Sequence, residues 1–349
     1  MLQPSHAYPA ATGQEKVDRV ICASRARQHD NVYATMEAIR ARALHHNPPS
    51  GIHTALLYQS GWFLHWAEGP RQSVSDLFGR IALDTRHHSQ IVVHASTGRR
   101  LLMTPFSMML SPSNESVESF GERVRALRVR MDTGDGQLAP TSVIRNLMMP
   151  MRLPQAQQLA DPEAYHRVVV CAAAGRAAFD LTRWLSEQKS VPRESRRLAG
   201  ETDRDSGSEY VEFMQGDEIC RVIAIARSGL TQGLHRSLAP DWHYLVLLFC
   251  GEPRRDEALL DRVREAMGNL PRRPALVALA PDARTHQQVQ QAAKARGLDC
   301  TEGALARDHE ESAIWRDISS RLEGLGPPQQ SIWPVFKNVP AALMTASGP

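Results

Sequence analysis

The sequence predicts an α/β protein made of two successive units, a mixed α+β unit followed by a three-layer unit with a mostly parallel sheet. In the first third of the chain, two aromatic-rich apolar runs, 51–58 and 62–69, flank a short turn at Gln59-Ser60-Gly61, which is typical of a β-hairpin. In the second half, short continuous apolar runs alternate with helical patterns, as expected for parallel strands covered on both faces.

The composition fits a two-domain globular protein and argues against several classes. The chain has 349 residues, 42% hydrophobic and 23% charged, so each half can form its own core. A formal net charge of +3 is too small to indicate a nucleic-acid partner. Without a long apolar run or a secretory signal, we expect a cytoplasmic protein that does not enter a membrane. The five cysteines form no C-x-x-C pair, which indicates buried free thiols.

Changes in composition predict five segments along the chain. They are a flexible tail at 1–16, a first domain at 17–110, a helical extension and linker at 111–160, a second domain at 161–325 and a proline-rich tail at 326–349.

The first domain shows the order strand, helix, hairpin, helix, strand. This order predicts a ferredoxin-like arrangement, in which two helices cover one face of a sheet. The predicted elements are strands at 17–24, 51–58, 62–69, 90–95 and 101–103, and helices at 32–43, 72–84, 115–131 and 142–149.

The central hairpin resembles that of the BLUF domains, which are flavin-binding sensors of blue light. The motif is Gly-Ile-x-x-x-Leu-Leu-Tyr, a turn, and then Phe-Leu-x-x-x-Glu-Gly, and the resemblance covers about residues 17–110. The ending of the second helix in that family is nearly complete here as Asp84-Thr85-Arg86-His87-His88. The resemblance implies a flavin bound between the two helices, and later helices that pack on the free face of the sheet.

The resemblance also places four site residues on this chain. The family's photoactive tyrosine falls on Cys22 and its glutamine on His65, whereas its asparagine is kept as Asn47 and its methionine as Met108. A thiol lacks the aromatic ring, and an imidazole lacks the paired donor and acceptor at one end of an amide. We therefore predict a vestigial or altered flavin pocket, with no resident cofactor as the first expectation and FAD as the alternative.

The histidines and Cys22 allow two other chemistries. Adjacent histidines, as in His45-His46 and His87-His88, point in different directions in regular structure, so a metal site is not favoured. Cys22 and His65 on adjacent strands could form a nucleophile and base. Two packed residues of a vestigial pocket are the favoured interpretation.

The order of elements in the second domain resembles that of Ras-like small GTPases. Strands are predicted at 168–174, 210–214, 219–226, 244–250 and 275–280, and helices at 176–187, 255–267, 284–296 and 312–322. The second and third strands are expected to form an antiparallel hairpin at the sheet edge. The polar stretch 189–208 is expected to be an exposed loop.

The nucleotide motifs of the second domain are degraded. A phosphate-binding loop needs G-x-x-x-x-G-K-[ST], but only Gly175 remains, followed by Arg176. The stretch that resembles Asp-x-x-Gly is Ala226-Arg227-Ser228-Gly229, and only Asp282 is kept of Asn-Lys-x-Asp. The resemblance therefore implies a pseudo-GTPase.

Both halves keep folds used in signalling and lack the residues for ligand chemistry. We expect a non-enzymatic regulatory or adaptor protein with protein partners, and a homo-oligomer is compatible with this interpretation. The alternatives are a flavin-binding blue-light receptor with an altered photocycle and a switch that binds GTP without hydrolysing it.

Overall fold

The computed structural model describes residues 16–27, 30–111, 113–134, 138–154, 165–197, 207–268, 270, 272–305 and 310–323. Apart from Lys16, the predicted tails at 1–16 and 326–349 lie outside the described residues.

The first half contains a five-stranded sheet with helices on both faces. Its elements are β1 (Lys16–Ala26), α1 (Val32–His46), β2 (His53–Gln59), β3 (Trp62–Gly69), α2 (Arg71–Ala82), β4 (His87–Arg99), β5 (Phe106–Leu110), α3 (Val117–Thr133) and α4 (Pro140–Met148).

The strand order β4-β1-β3-β2-β5 confirms the ferredoxin-like prediction. The first four strands pair antiparallel, and β5 adds to β2 in parallel. Ser60 and Gly61 both have positive φ, 49° and 78°, as a two-residue type I′ turn requires. Helices α1 and α2 cover one face, and α3 and α4 pack on the other, as predicted.

The predicted strand at 101–103 is wrong, because the strand after β4 begins only at Phe106. The backbone N–H groups of Leu101 and Leu102 donate to the carboxylate of Glu68 instead, at 2.6 and 2.9 Å. The Glu68 side chain thus accepts the backbone hydrogen bonds that residues of a strand would donate to a neighbouring strand.

The second half contains a seven-stranded sheet between two helical layers, which confirms the predicted α/β class. Its elements are β6 (His166–Ala172), α5 (Ala177–Lys189), β7 (Arg193–Arg197), β8 (Gly207–Gln215), β9 (Glu218–Ile225), α6 (Gly233–Leu238), β10 (Tyr244–Leu248), α7 (Pro253–Met267), β11 (Ala275–Ala280), α8 (Ala283–Ala295), β12 (Cys300–Leu305) and α9 (Glu311–Glu323).

The order in this sheet is β12-β11-β10-β6-β9-β8-β7, and β9, β6, β10, β11 and β12 run parallel. The hairpin β8–β9 is present but does not lie at the edge. The described part of the predicted loop at 189–208 contains β7, which pairs antiparallel with β8 and forms that edge.

The apolar cores follow from this layering. One core lies under α7 and α8, and another lies under α5 and α9. The core between the first sheet and α3 and α4 also includes Leu234 and Leu238 of α6, so the two halves share one core.

Within the described ranges, no helix has the length and apolar character needed to cross a bilayer.

Candidate functional site

The face of the first sheet under α1 and α2 has a seam between two separate apolar clusters. One cluster lies under α2 and includes Val20 and Ala67, and the other lies under α1 and includes Leu56 and Phe63. On β3, His65 stands between Phe63 and Ala67, and alternate residues of a strand share a face. His65 therefore lies at the seam.

Three of the predicted site residues form one row across the sheet. Cys22 of β1 is opposite His65 of β3, His65 is opposite Leu56 of β2, and Leu56 is opposite Met108 of β5. The row brings Cys22 and His65 side by side and places Met108 two strands away from His65, and their role at one site stays a prediction.

Asn47, the fourth predicted residue, caps the C-terminus of α1. It is buried, and its side-chain N–H donates to Thr54 Oγ1 on β2 at 3.3 Å. The proline-containing turn that follows, Pro48–Ser50, ends the helix and holds Asn47 against the sheet.

The row contains a neutral thiol beside a neutral imidazole. Burial raises the pKa of the Cys22 thiol to about 12, although a hydrogen bond with Gln90 opposes this rise. Burial and the nearby His87 lower the pKa of His65 to about 4. A nucleophilic cysteine needs a lowered thiol pKa, so this geometry does not support the nucleophile-and-base alternative.

Several buried polar atoms around the row have no hydrogen-bond partner in the part of the chain that the structure describes. They are His65 Nε2, His87 Nδ1 and Gln90 Oε1, the last on the side chain that bonds Cys22. Buried polar atoms are almost always hydrogen-bonded, so each unsatisfied atom needs an explanation. The sequence predicted His65 but not Gln90. His87 was visible only as part of the motif that ends α2.

That motif forms a rigid corner between α2 and β4. Arg86 binds the carboxylate of Asp84 through two nitrogen atoms, and this hydrogen bonding lowers the pKa of Asp84. The corner places His87 at the start of β4, where burial lowers its pKa.

In the sequence, Glu68 stands out only as part of the hairpin motif, yet it is fully buried on the opposite face of the sheet. Burial raises the pKa of its carboxyl group, and the N–H groups of Leu102 and Leu101 and the charge of Arg19 oppose that rise. An acidic residue inside an apolar strand was the available signal, because buried carboxylates are rare unless they are paired.

No group of three or more His, Cys, Asp or Glu residues in the part of the chain that the structure describes could hold a metal ion.

In the second domain, two acidic side chains at the carboxyl ends of the strands are engaged with the backbone. Asp282 accepts from the N–H of Thr285 at 2.8 Å and so caps α8. Asp256 accepts from the N–H groups of Cys250 and Gly251, both at 2.9 Å, in the loop after β10.

Comparison with known proteins finds a family similar to the first domain. Residues 17–108 match the model of the BLUF family, described as sensors of blue light using FAD. No curated protein matches the chain.

Solved structures with detectable similarity include the dark-state structure of BlrB, a BLUF protein, with 22% identity over 42% of this chain and 99% of that one, at a TM-score of 0.27. The photo-activated state of BlsA has 19% identity over 39% and 98%, at a TM-score of 0.28. A bacterial light-regulated adenylyl cyclase has 12% identity over 65% and 84%, at a TM-score of 0.27. By the family match, residues 17–108 are similar to the BLUF domains.

Proposed function

We propose that this chain is a regulatory or adaptor protein whose BLUF domain has lost the standard light response and acts through a protein partner. The observation that supports this proposal best is the row across the sheet, where Cys22 and His65 are direct neighbours at the two photochemical positions. A thiol with a pKa near 12 offers no aromatic electron donor, and it is only a weak hydrogen-bond donor. The proposal includes no catalysis by the chain itself.

The residues that are present fit a flavin, which makes flavin binding the second candidate. The unsatisfied Nε2 of His65 lies at the seam between the two helices, where a ligand hydrogen bond would satisfy it. Asn47 would hold the ligand beside the end of α1, and Met108 would contact it from β5. A flavin supplies absorption of blue light and the capacity to accept electrons.

The chain's own groups would then act on the flavin differently from a tyrosine and a glutamine. Because the pKa of His65 is about 4, the imidazole is neutral at pH 7 and has one N–H. Nε2 can donate or accept but cannot do both, whereas the end of an amide can do both. The hydrogen-bond rearrangement of the family therefore has no equivalent at this position.

The third candidate, a GTP-binding switch, is not favoured by the loops of the second domain. Two backbone N–H groups after β10 already bind Asp256, and Asp282 caps its own helix. A nucleotide site needs free backbone donors and a lysine. These contacts make the two loops less available to a nucleotide, and a pseudo-GTPase that acts by protein contact stays a prediction.

The deciding experiment is absorption spectroscopy of the purified full chain after incubation with FAD, before and after blue light. We expect no reversible red shift of the flavin bands in the unmodified protein. The double variant Cys22→Tyr, His65→Gln supplies the missing donor and amide, so we expect it to gain such a shift. The single variant His65→Gln is the matched control, because it restores the amide without the donor, and it should show none.

A reversible red shift in the unmodified protein would contradict the proposal. Retention of FAD without any shift would favour the second candidate.

A further inference from the structure

A short stretch of the second domain is packed into the first. We call residues 233–241 the docking segment; it consists of α6 and the 3-10 turn Ala239–Asp241. Leu234 and Leu238 join the core that contains Trp66, Leu101 and Leu102 of the first domain. The docking segment thus buries its apolar side chains in the other half of the molecule.

The N-terminal end of the docking segment approaches the first sheet more closely than a side chain would allow. A Cβ atom at Gly233 would lie 1.9 Å from Ser107 Oγ and 2.5 Å from Thr104 Oγ1. The φ angle of Gly233 is not positive, so glycine is required there by the neighbouring atoms and not by the backbone conformation. One turn later, the Ser237 hydroxyl lies 2.7 Å from Gly233 O and 3.2 Å from Leu101 O, and its single proton is shared between them.

The C-terminal end is held by ion pairs. Asp241 contacts Arg145 of α4 and Arg167 of β6, and all three side chains are buried. Because α4 packs under the first sheet, the docking segment is attached to the first domain at both ends.

Residues 101–102, against which the docking segment packs, are hydrogen-bonded to β3, the strand that carries His65. Glu68 binds the N–H groups of Leu101 and Leu102, and it lies three residues after His65 on β3. His53 of β2 contacts Leu102 O through Nδ1 at 2.6 Å. A shift of β3 therefore changes the position of residues 101–102, on which the docking segment rests.

We propose that the docking segment is the element through which the second domain responds to the state of the BLUF sheet, by way of Glu68 and residues 101–102. This inference rests on the proposed function only in taking the BLUF domain as the regulating half. The coupling is reciprocal, because two elements linked by one free energy perturb each other equally.

Hydrogen–deuterium exchange of the full chain, read by mass spectrometry, tests the coupling without flavin or light. Gly233→Ala should speed exchange about tenfold in both 101–110 and 233–241, because local opening sets the exchange rate. In a Thr104→Ala, Ser107→Ala background the obstructing oxygen atoms are absent. These two hydroxyls bond each other at 2.8 Å, so removing both leaves no unpaired partner. There, the Cβ atom of position 107 remains 3.2 Å from the added Cβ, so Gly233→Ala should add a much smaller increase than in the wild type.

Glu68→Gln tests the reverse direction, because a neutral amide oxygen accepts more weakly from Leu101 and Leu102. We expect faster exchange in 233–241 as well as in 101–110. Gly79→Ala is the matched control: it is an exposed helical glycine with nothing within 4 Å of an added Cβ, and it should alter neither segment.

Three outcomes would overturn the inference. The first is slower exchange at 233–241 in Gly233→Ala, as alanine's helix preference alone would produce. The second is that Gly233→Ala speeds exchange equally in the wild-type and in the Thr104→Ala, Ser107→Ala background. The third is that Glu68→Gln changes exchange in 101–110 only. The absorption experiment is separate, so a failure of the proposed light behaviour is distinguishable from a failure of the coupling.

Discussion

Single residues determine what the candidate site can do, and His65 is the clearest case. Its ring lies 5.7 Å from Phe78 of α2, and its buried Nε2 has no hydrogen-bond partner among the described residues. A neutral imidazole carries a single N–H, so Nε2 either donates or accepts. If a ligand binds at the seam, as proposed, His65 would offer it one donor or one acceptor, where the end of an amide offers both.

The buried histidines should make the protein less stable in acid. Burial lowers the pKa of His65 and His235 to about 4 and that of His94 to about 3, whereas imidazoles of an unfolded chain titrate near 6.5. Between about pH 6.5 and pH 4 the unfolded state binds more protons, so the free energy of unfolding falls as pH falls. We expect thermal melting curves to shift to lower Tm over this range, with a shallower slope in His65→Gln.

Comparison of the variant with wild type cancels the contributions of all other titrating groups. The exposed His46→Gln is the control and should keep the wild-type slope. If His65→Gln also keeps that slope, His65 is not buried in its neutral form.

Glu68 should matter far more to stability than an acidic residue on the surface. Glu68→Ala leaves the buried N–H groups of Leu101 and Leu102 without an acceptor, and each such group costs about 1–3 kcal/mol. We expect a loss of about 2 kcal/mol or more in urea unfolding. Glu118→Ala, which removes a carboxylate that is 70% exposed and pairs with Arg25, should change stability by less than about 1 kcal/mol. Equal losses of stability in the two variants would show that the hydrogen bonds from Leu101 and Leu102 to Glu68 do not stabilise the fold.

At the scale of elements, strong periodicity was enough to predict most of the fold. The hairpin, both flanking helices and the helices under the sheet were predicted because their apolar residues recur at strand or helix spacing. The predicted strand at 101–103 was wrong because these apolar residues are buried in a connection whose backbone N–H groups bind the carboxylate of Glu68.

Two of the elements that were missed, β7 and α6, have weak local signals for physical reasons. Strand β7 has the sequence Arg-Glu-Ser-Arg-Arg and is stabilised by pairing with β8, not by an apolar pattern. Helix α6 is six residues long, too short for a periodic pattern, and its two leucines are explained only by a core formed with the first domain.

The candidate site was predictable in part. Its four residues came from motif resemblance, and three of them form the row across the sheet. Gln90 and Glu68 could not be placed from the sequence, because their roles depend on contacts with distant segments.

At the scale of the whole molecule, a buried arginine cluster joins the two halves. The guanidinium groups of Arg145, Arg167 and Arg221 lie 5.3, 4.7 and 5.1 Å from the ring of Tyr165. Burial alone would raise the pKa of Tyr165, but the three positive charges outweigh it and lower that pKa. Buried charges of one sign need buried partners of the other, and here these are Asp241 and Glu212.

Removal of Asp241 should therefore destabilise the whole chain. Asp241→Ala leaves two buried guanidinium groups without this carboxylate, and breaking a buried pair costs about 3–5 kcal/mol. We expect a correspondingly lower urea midpoint. Asp261→Ala, whose carboxylate is 48% exposed and pairs with Arg296, is the control and should cost less than about 1 kcal/mol. A urea midpoint unchanged by Asp241→Ala would show that the buried arginine cluster does not hold the two halves together.

The shared core also determines how the polypeptide can be divided. Leu234 and Leu238 complete the core of a domain that ends long before them in the chain. A protease cut between residues 154 and 165 would break the peptide chain and leave those contacts in place, so both fragments should co-elute from a sizing column. The first half, produced alone, would expose the apolar surface that Leu234 and Leu238 cover in the full chain. We expect the second half, synthesised as a separate polypeptide in the same cell, to bind that surface.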